Sequence, residues 1–394
     1  MNDPIVLGVG MHPFGKYPSE GLRELAFPAV QGALSDAGLT VSDIQIAYVG
    51  NTLGGLITGQ EGVRGQVVLR YAGFSNLPII NVENACSSGS TAFFEACLAV
   101  RSGLYDVALA VGVEKMYIGD TARSLRALLT VGEVETFAGC GFQFTAIYAM
   151  KAKAYMDRWG AEPKHLAQVV AKNSQNGALN KYAQFRKSLT VQEVLASRPI
   201  CEPLTLYMCS SMADGAACAI VASEAFAGRH SGRHGVRVRA SVLRTGVFDL
   251  EPVQNQPSSN VQAAAAAYEQ AGISPEELDF VEVHDAAAGS EFEHMEALGL
   301  CQPGEAYKLL ERGETRITGR IPVNPSGGLL ARGHAIGATG LAQVAEVVWQ
   351  LRGQAGQRQV KGKTGSVPTA GLCLNTGGRV GDERAAYAIQ ILSR

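Results

Sequence analysis

The sequence predicts an α/β layered fold made of two similar halves. Three observations carry this. Short apolar runs without polar alternation recur along the chain, as expected of strands buried on both faces. They alternate with helical stretches of amphipathic or small-residue character. The Gly-rich helix starts Ser88-Gly-Ser-Thr-Ala92 and Gly337-Ala-Thr-Gly-Leu341 sit at similar places in the two halves and point to an internal duplication.

In order, Ile5 to Val9 reads as a buried strand and Leu22 to Ala37 as an amphipathic helix stopped by Gly38. Ile44 to Gly50 is a second strand. Leu77 to Val82, a helix over Thr91 to Arg101, and Val107 to Val113 form a strand–helix–strand unit. From Tyr117 to about Ser211 the chain turns more polar. Helical patterns there run over Met150 to Trp159 and His165 to Gly177, and the region reads as an insertion covering one end of the sheet. Met212 to Val221 returns to buried-strand composition, and residues 228–237 read as a surface connection. In the second half, Val236 to Leu243 and Asp279 to His284 are strands, and Asn260 to Ala271 and Gly340 to Arg352 are helices. Residues 368–374 and 385–392 are late strands. The expected division is 1–116 for the first half, completed by 212–232; 117–211 for the insertion; and 233–394 for the second half.

With 394 residues and 46% hydrophobic content, the chain can bury a large core. A net charge of −2 and a pI near 6.4 give no global field toward nucleic acid or a membrane surface. The N-terminus lacks the basic and apolar regions of a signal peptide, and no apolar run approaches the ~20 residues of a membrane span. The eight cysteines are scattered, with no CxxC pair. This argues against a metal site and fits a reducing, cytoplasmic setting.

The chemistry centres on Cys86 in Asn81-Val-Glu-Asn-Ala-Cys-Ser-Ser-Gly-Ser-Thr91, at a strand-to-helix junction. Helix N–H groups and the helix dipole are expected there to lower the thiol pKa. A thiol nucleophile needs a base, which an imidazole supplies, and donors for a developing oxyanion. Two histidines stand at further strand–loop junctions. His284 ends Val281-Glu-Val-His-Asp285, and His334 lies in the Gly-rich stretch from Asn324 to Gly340. Leu372-Cys-Leu-Asn-Thr-Gly-Gly378 adds an Asn and paired glycines. Such junctions cluster at one edge of an α/β sheet.

These motifs, in this order and over essentially the full length, resemble the thiolases, nearest the sterol-carrier-protein type. Asn-Ala-Cys-Ser-Ser-Gly resembles the nucleophile loop, and Val-Glu-Val-His-Asp the His-Asp motif that replaces Asn-Glu-Ala-Phe. Gly-His-Ala-Ile-Gly-Ala-Thr-Gly resembles the Gly-His-Pro motif, with Ala335 for Pro. The resemblance implies a thiolase fold: two halves, each with a mixed five-stranded sheet, packed as α-β-α-β-α layers, with 117–211 as the loop domain carrying CoA and oligomer contacts. It implies that Cys86 is acylated, that His334 activates it, and that His284 helps hold the thioester oxygen. The backbone N–H groups of Cys86 and Gly377 would form a second oxyanion hole, with Asn375 beside it.

The chain departs from the family where a second acid/base cysteine is usual. Asn375 stands in the late Cys-x-Gly position, and Ala286 stands two residues after the motif histidine. Cys373, His294, Tyr207 and Cys140 are the remaining candidates. The resemblance implies cleavage of a 3-oxoacyl-CoA by free CoA through acyl-Cys86, with CoA as co-substrate and no permanent cofactor. It also implies a homodimeric core and a small zinc-ribbon/OB-fold partner. Small residues at Ala286 to Gly289 and at Gly54 and Gly55 leave room for a bulky or aromatic acyl group. Two alternatives are a retro-aldol lyase acting on a 3-hydroxyacyl-CoA and a non-catalytic subunit of an acyltransferase complex.

Plainer readings cover the rest. Cys97, Cys209, Cys218 and Cys301 are expected to be buried small hydrophobes, and Cys373 core. His12, His165, His230 and His234 are expected at the surface. Arg64, Arg70 and Lys172 are open to CoA phosphates, and no P-loop is present.

Overall fold

The computed structural model describes residues 3–137, 141, 143–230, 235–248 and 257–394. Its strands are β1 (Ile5–Gly15), β2 (Ile46–Gly50), β3 (Ile79–Val82), β4 (Val107–Glu114), β5 (Pro199–Cys201), β6 (Leu204–Thr205), β7 (Asp214–Ala222), β8 (Val236–Arg244), β9 (Phe280–Glu282), β10 (Ala370–Gly377) and β11 (Ala386–Ser393). β5 and β6 form a small separate hairpin; the other nine share a ladder in the order β3-β2-β4-β7-β1-β8-β11-β10-β9.

The duplication read from two helix starts is written into this topology. In the first half β2 pairs parallel with β3 and β4, β4 antiparallel with β7, and β7 antiparallel with β1. The second half repeats each step. β9 pairs parallel with β10, β10 antiparallel with β11, and β11 antiparallel with β8. The counterpart of β3 is reduced to one parallel bridge, Val281 to Val323. Among the described residues the second half therefore has four ladder strands, where five were expected. The halves join along one short edge, with Ile5 opposite Arg237 and Val6 opposite Val236.

Three apolar layers follow from the patterning. Helix Leu22–Ala37 covers the outer face of the first five strands, with Leu25 and Ala29 against Leu109 and Ile220. Helices Ser259–Ala271 and Ala288–Ala297 cover the outer face of the second set, with Ala267 and Phe292 near Val281 and Ile389. Between the sheets lie helices Ser88–Arg101 and Thr339–Leu351, in a core that includes Phe93, Leu341, Val221 and Leu392. This is why both helices are apolar nearly all round and rich in small residues.

Their N-terminal ends meet. A Cβ on Gly89 would lie 2.7 Å from the Gly337 carbonyl oxygen, and one on Gly112 only 2.4 Å from it. Glycine alone permits this approach. It brings the segment before one central helix against the segment before the other.

Some expectations change. His12 and His165 are buried, not solvated: the His165 ring accepts the Glu162 N–H and sits 2.8 Å from Glu311. Lys172 is locked inside, 3.0 Å from Glu291 and donating to the Val323 carbonyl, so it is not open to a phosphate. Cys140 and His234 lie outside the described residues.

Candidate active site

Cys86 sits in a single 3-10 turn, Ala85–Ser87, between β3 and the first central helix. Ala85 adopts φ 49, a left-handed conformation rare for a residue with a Cβ. Its neighbours hold it there. Ala85 N donates to Glu83, and the Ala85 carbonyl accepts from both Thr52 Oγ1 and Ser88 Oγ. Gly377, at the end of β10, closes the turn from below: a Cβ there would be 2.3 Å from the Asn84 oxygen and 2.7 Å from Ser87 N.

His334 precedes the second central helix much as Cys86 precedes the first. Its N–H donates to the Ser211 carbonyl. Its Nδ1 is 2.8 Å from Thr339 Oγ1, and that hydroxyl donates to the Ala335 carbonyl at 3.0 Å. A hydroxyl has one proton, so here it can only accept from the imidazole. Nδ1 then carries the proton, and Nε2 keeps a free lone pair. His284 follows β9 and meets the His334 ring edge-on, centroids 5.1 Å apart. The Cys86 sulfur and one ring nitrogen from each histidine all lie within 4.8 Å of one another.

The neighbouring Asp285 is structural. It accepts from Leu329 N at 2.7 Å and Asn173 Nδ2 at 2.8 Å, pinning the turn that leads to His334. Glu114 does the same on the other side, accepting from Thr52 N, Leu53 N and Gly337 N; burial raises its pKa to about 7.

The three reacting groups line one cavity that, with its mouth, encloses about 850 Å³. Burial within it reverses the expected thiol behaviour. Burial pushes the Cys86 thiol up to about 12, although the Gly378 backbone N–H facing the sulfur pulls the other way. Burial, and secondarily Arg332, depresses His334 to about 3. His284 lies well below its ordinary value, from burial and then His334. The resting site thus holds a neutral thiol beside neutral imidazoles, not a thiolate.

Other expected residues fall as follows. Gly377 and Gly378 both line the cavity. Asn375 is fully buried behind it, its amide donating to Gln343 and accepting from Ser87 Oγ. Cys373 is core, with its thiol toward Gln390. Tyr207 is exposed, and His294 is buried against Asn260; neither lines the cavity. Ala286 does line it. So does Cys209, expected to be a buried small hydrophobe: its backbone bridges Ala287, and burial raises its pKa to about 11. Lys151, Arg379 and Arg384 also reach this wall. Lys151 comes from the helix Phe144–Trp159 and the two arginines from the connection between β10 and β11, and only the position of Arg379, directly after the paired glycines, was a signal in the sequence.

Comparison with known proteins decides the family. Residues 5–225 match the thiolase N-terminal domain and residues 253–386 the thiolase C-terminal domain-like family. The chain belongs to the thiolase family. It is 39% identical over 396 residues to an acetyl-CoA acetyltransferase of Methanothermobacter thermautotrophicus, with both chains fully covered. It is 37% identical to sterol carrier protein 2 of Gallus gallus, over 91% of this chain and 67% of that one. It is 36% identical to the benzoylsuccinyl-CoA thiolase subunit BbsB of Thauera aromatica, over 95% and 94%. Among solved structures, the Ltp2-ChsH2(DUF35) aldolase superposes with a TM-score of 0.79 at 22% identity, covering 99% of this chain and 97% of that one. Human mitochondrial 3-ketoacyl-CoA thiolase gives 0.74 at 17%, covering 100% and 98%. A thiolase of this family is an acyltransferase by class, and no described helix of this thiolase is long and apolar enough to cross a membrane.

Proposed function

We propose that the protein cleaves a 3-oxoacyl-CoA with free CoA through an acyl-Cys86 intermediate. The observation that carries this is the meeting of the Cys86 sulfur and the two histidines within 4.8 Å at one cavity. Cys86 gives its proton to His334 Nε2 as its sulfur bonds to the 3-oxo carbon. The bond to C2 breaks, and the electron pair stays with the departing acyl-CoA as an enolate. Free CoA then attacks the acyl-cysteine, and Cys86 regains its proton from His334. His284, and backbone N–H groups of the Cys86 and Gly377–Gly378 segments, receive the negative oxygens. Because the resting charges are suppressed, proton transfer and attack occur together.

The departing C2 needs a proton, and neither Ala286 nor the buried Asn375 can supply it. We assign that role to Cys209, the cavity-lining thiol next to the 286–287 segment. It protonates C2 and is restored by the proton of the incoming CoA thiol. Asn375 acts through Ser87 as a positioning residue for the nucleophile turn.

The finer reading is a bulky or aromatic acyl group in a catabolic, cytoplasmic setting. The small side chains of Ala286 and Ala287 at the cavity support room for it. Residues 117–211 serve as the loop domain between a first half, 1–116 with 212–232, and a second half, 233–394. A homodimeric core and a small zinc-ribbon/OB-fold partner complete the assembly; the thiolase-like Asn-x-Gly ending supports the partner.

The test is trapping. Incubation with 3-oxoacyl-CoA substrates without free CoA should leave an acyl adduct on the Cys86 peptide, read by mass spectrometry. No adduct across a substrate panel, with and without the partner, would sink the proposal. One observation favours a second reading, a retro-aldol lyase: no cysteine occupies either usual second position. Turnover of a 3-hydroxyacyl-CoA that survives Cys86→Ala would establish it.

A further inference from the structure

The wall of the Cys86 cavity is unusually cationic. Lys151, Arg379 and Arg384 line it, and no Asp or Glu does among the described residues. Arg384 is neutralised from behind by Glu293, in a two-pronged pair at 2.5 and 2.9 Å. Lys151 shares the same carboxylate at 3.5 Å. Arg379 is different. It is only 8% exposed, yet its acidic partner among the described residues is the fully exposed Asp382, 3.3 Å from one terminal nitrogen. Its Nε is buried with no hydrogen-bond partner among the described residues. Three cations thus face two carboxylates, and Arg379, paired only with the one out in solvent, has a buried donor unused.

A buried guanidinium with an idle N–H is costly unless something arrives to fill it. We propose that the acyl group of the substrate carries a carboxylate, which Arg379 receives at the wall of the Cys86 cavity. A planar fork of N–H donors matches a carboxylate in geometry and charge, and it does so best where water is excluded. Position favours the acyl group over the phosphates of CoA. Arg379 follows directly on Gly378, whose N–H faces the Cys86 sulfur. The phosphates of CoA are held away from that sulfur by the whole pantetheine arm. Leu128, Val131 and Ile147 line the same cavity, so the carboxylate would sit at the end of an otherwise apolar chain.

The inference rests on the thiolase reading above. It is tested with 3-oxoadipyl-CoA and 3-oxohexanoyl-CoA, six-carbon substrates that differ by a carboxylate. The wild-type protein should favour the carboxylate substrate at least tenfold in kcat/KM. Arg379→Gln should cut that ratio at least tenfold, and Arg379→Lys, which keeps the charge but loses the fork, should fall between. The ratio is taken within each variant, so partial loss of folded protein cancels. Equal acylation of Cys86 by both substrates, or a preference untouched by Arg379→Gln, would overturn the carboxylate site and leave the thiolase reading standing. No acylation by either would remove both.

Discussion

Replacing His334 with Ala tests the central electrostatic argument. The Cys86 thiol is held near 12 by burial. At pH 7 it is about five pH units below ionisation, so forming the thiolate unaided costs about 7 kcal/mol. His334 avoids that cost by taking the proton during attack, from a ring nitrogen whose lone pair the Thr339 contact leaves free. Solvent hydroxide replaces the base only in part, and general-base residues typically contribute on the order of 10²–10⁴-fold. The expected loss in acylation rate falls in that range. The pH profile is the sharper readout. In the wild type the neutral thiol–imidazole pair dominates between the values near 3 and 12, so acylation should be flat from pH 6 to 9. In His334→Ala the rate should climb about tenfold per pH unit, because the thiolate fraction rises with pH below 12. Rapid quench with mass spectrometry of the Cys86 peptide measures both. A loss under tenfold, or a flat profile in the variant, would refute the reasoning.

Three further outcomes follow from the same contacts. Thr339→Val removes the acceptor of the His334 Nδ1 proton; an orphaned buried donor costs about 1–3 kcal/mol, so kcat should fall roughly tenfold to a hundredfold, with Thr339→Ser restoring most of it. Gly377→Ala drives a Cβ into the Asn84 oxygen and Ser87 N, and steady-state assay of the folded variant should find acylation nearly abolished. Asp285→Ala strips acceptors from Leu329 N and Asn173 Nδ2, and thermal unfolding should show a lowered Tm, consistent with about 1–3 kcal/mol for each donor left unpaired.

Much of the fold was legible because strands and helices announce themselves by period. The run into Cys86, the two central helices and the late strands all stand where their apolar patterns placed them. The meeting of Cys86 with His284 and His334 was legible from motif order. Less legible was anything set by packing between distant segments. A helix start promised a depressed thiol pKa, but burial of the thiol by distant segments, which no local pattern encodes, outweighs it. Asn375 looked available from its motif, yet Ser87 and Gln343 claim its amide. Cys209 looked inert, but an isolated backbone bridge sets it beside Ala287. His165 was placed at the surface by composition and is buried by a contact with Glu311, 146 residues away.

The position of β1 has a consequence for how the protein is made. This apolar strand leaves the ribosome long before its ladder partners, residues 214–222 and 236–237. At 5–20 residues per second, roughly ten seconds or more pass before either partner exists. For that time an aggregation-prone segment must wait, shielded at best by the helix that follows it. The yield of native protein should therefore depend on translation speed and on chaperones that hold nascent apolar strands. A substitution within β1 acts on the strand that closes the two halves together.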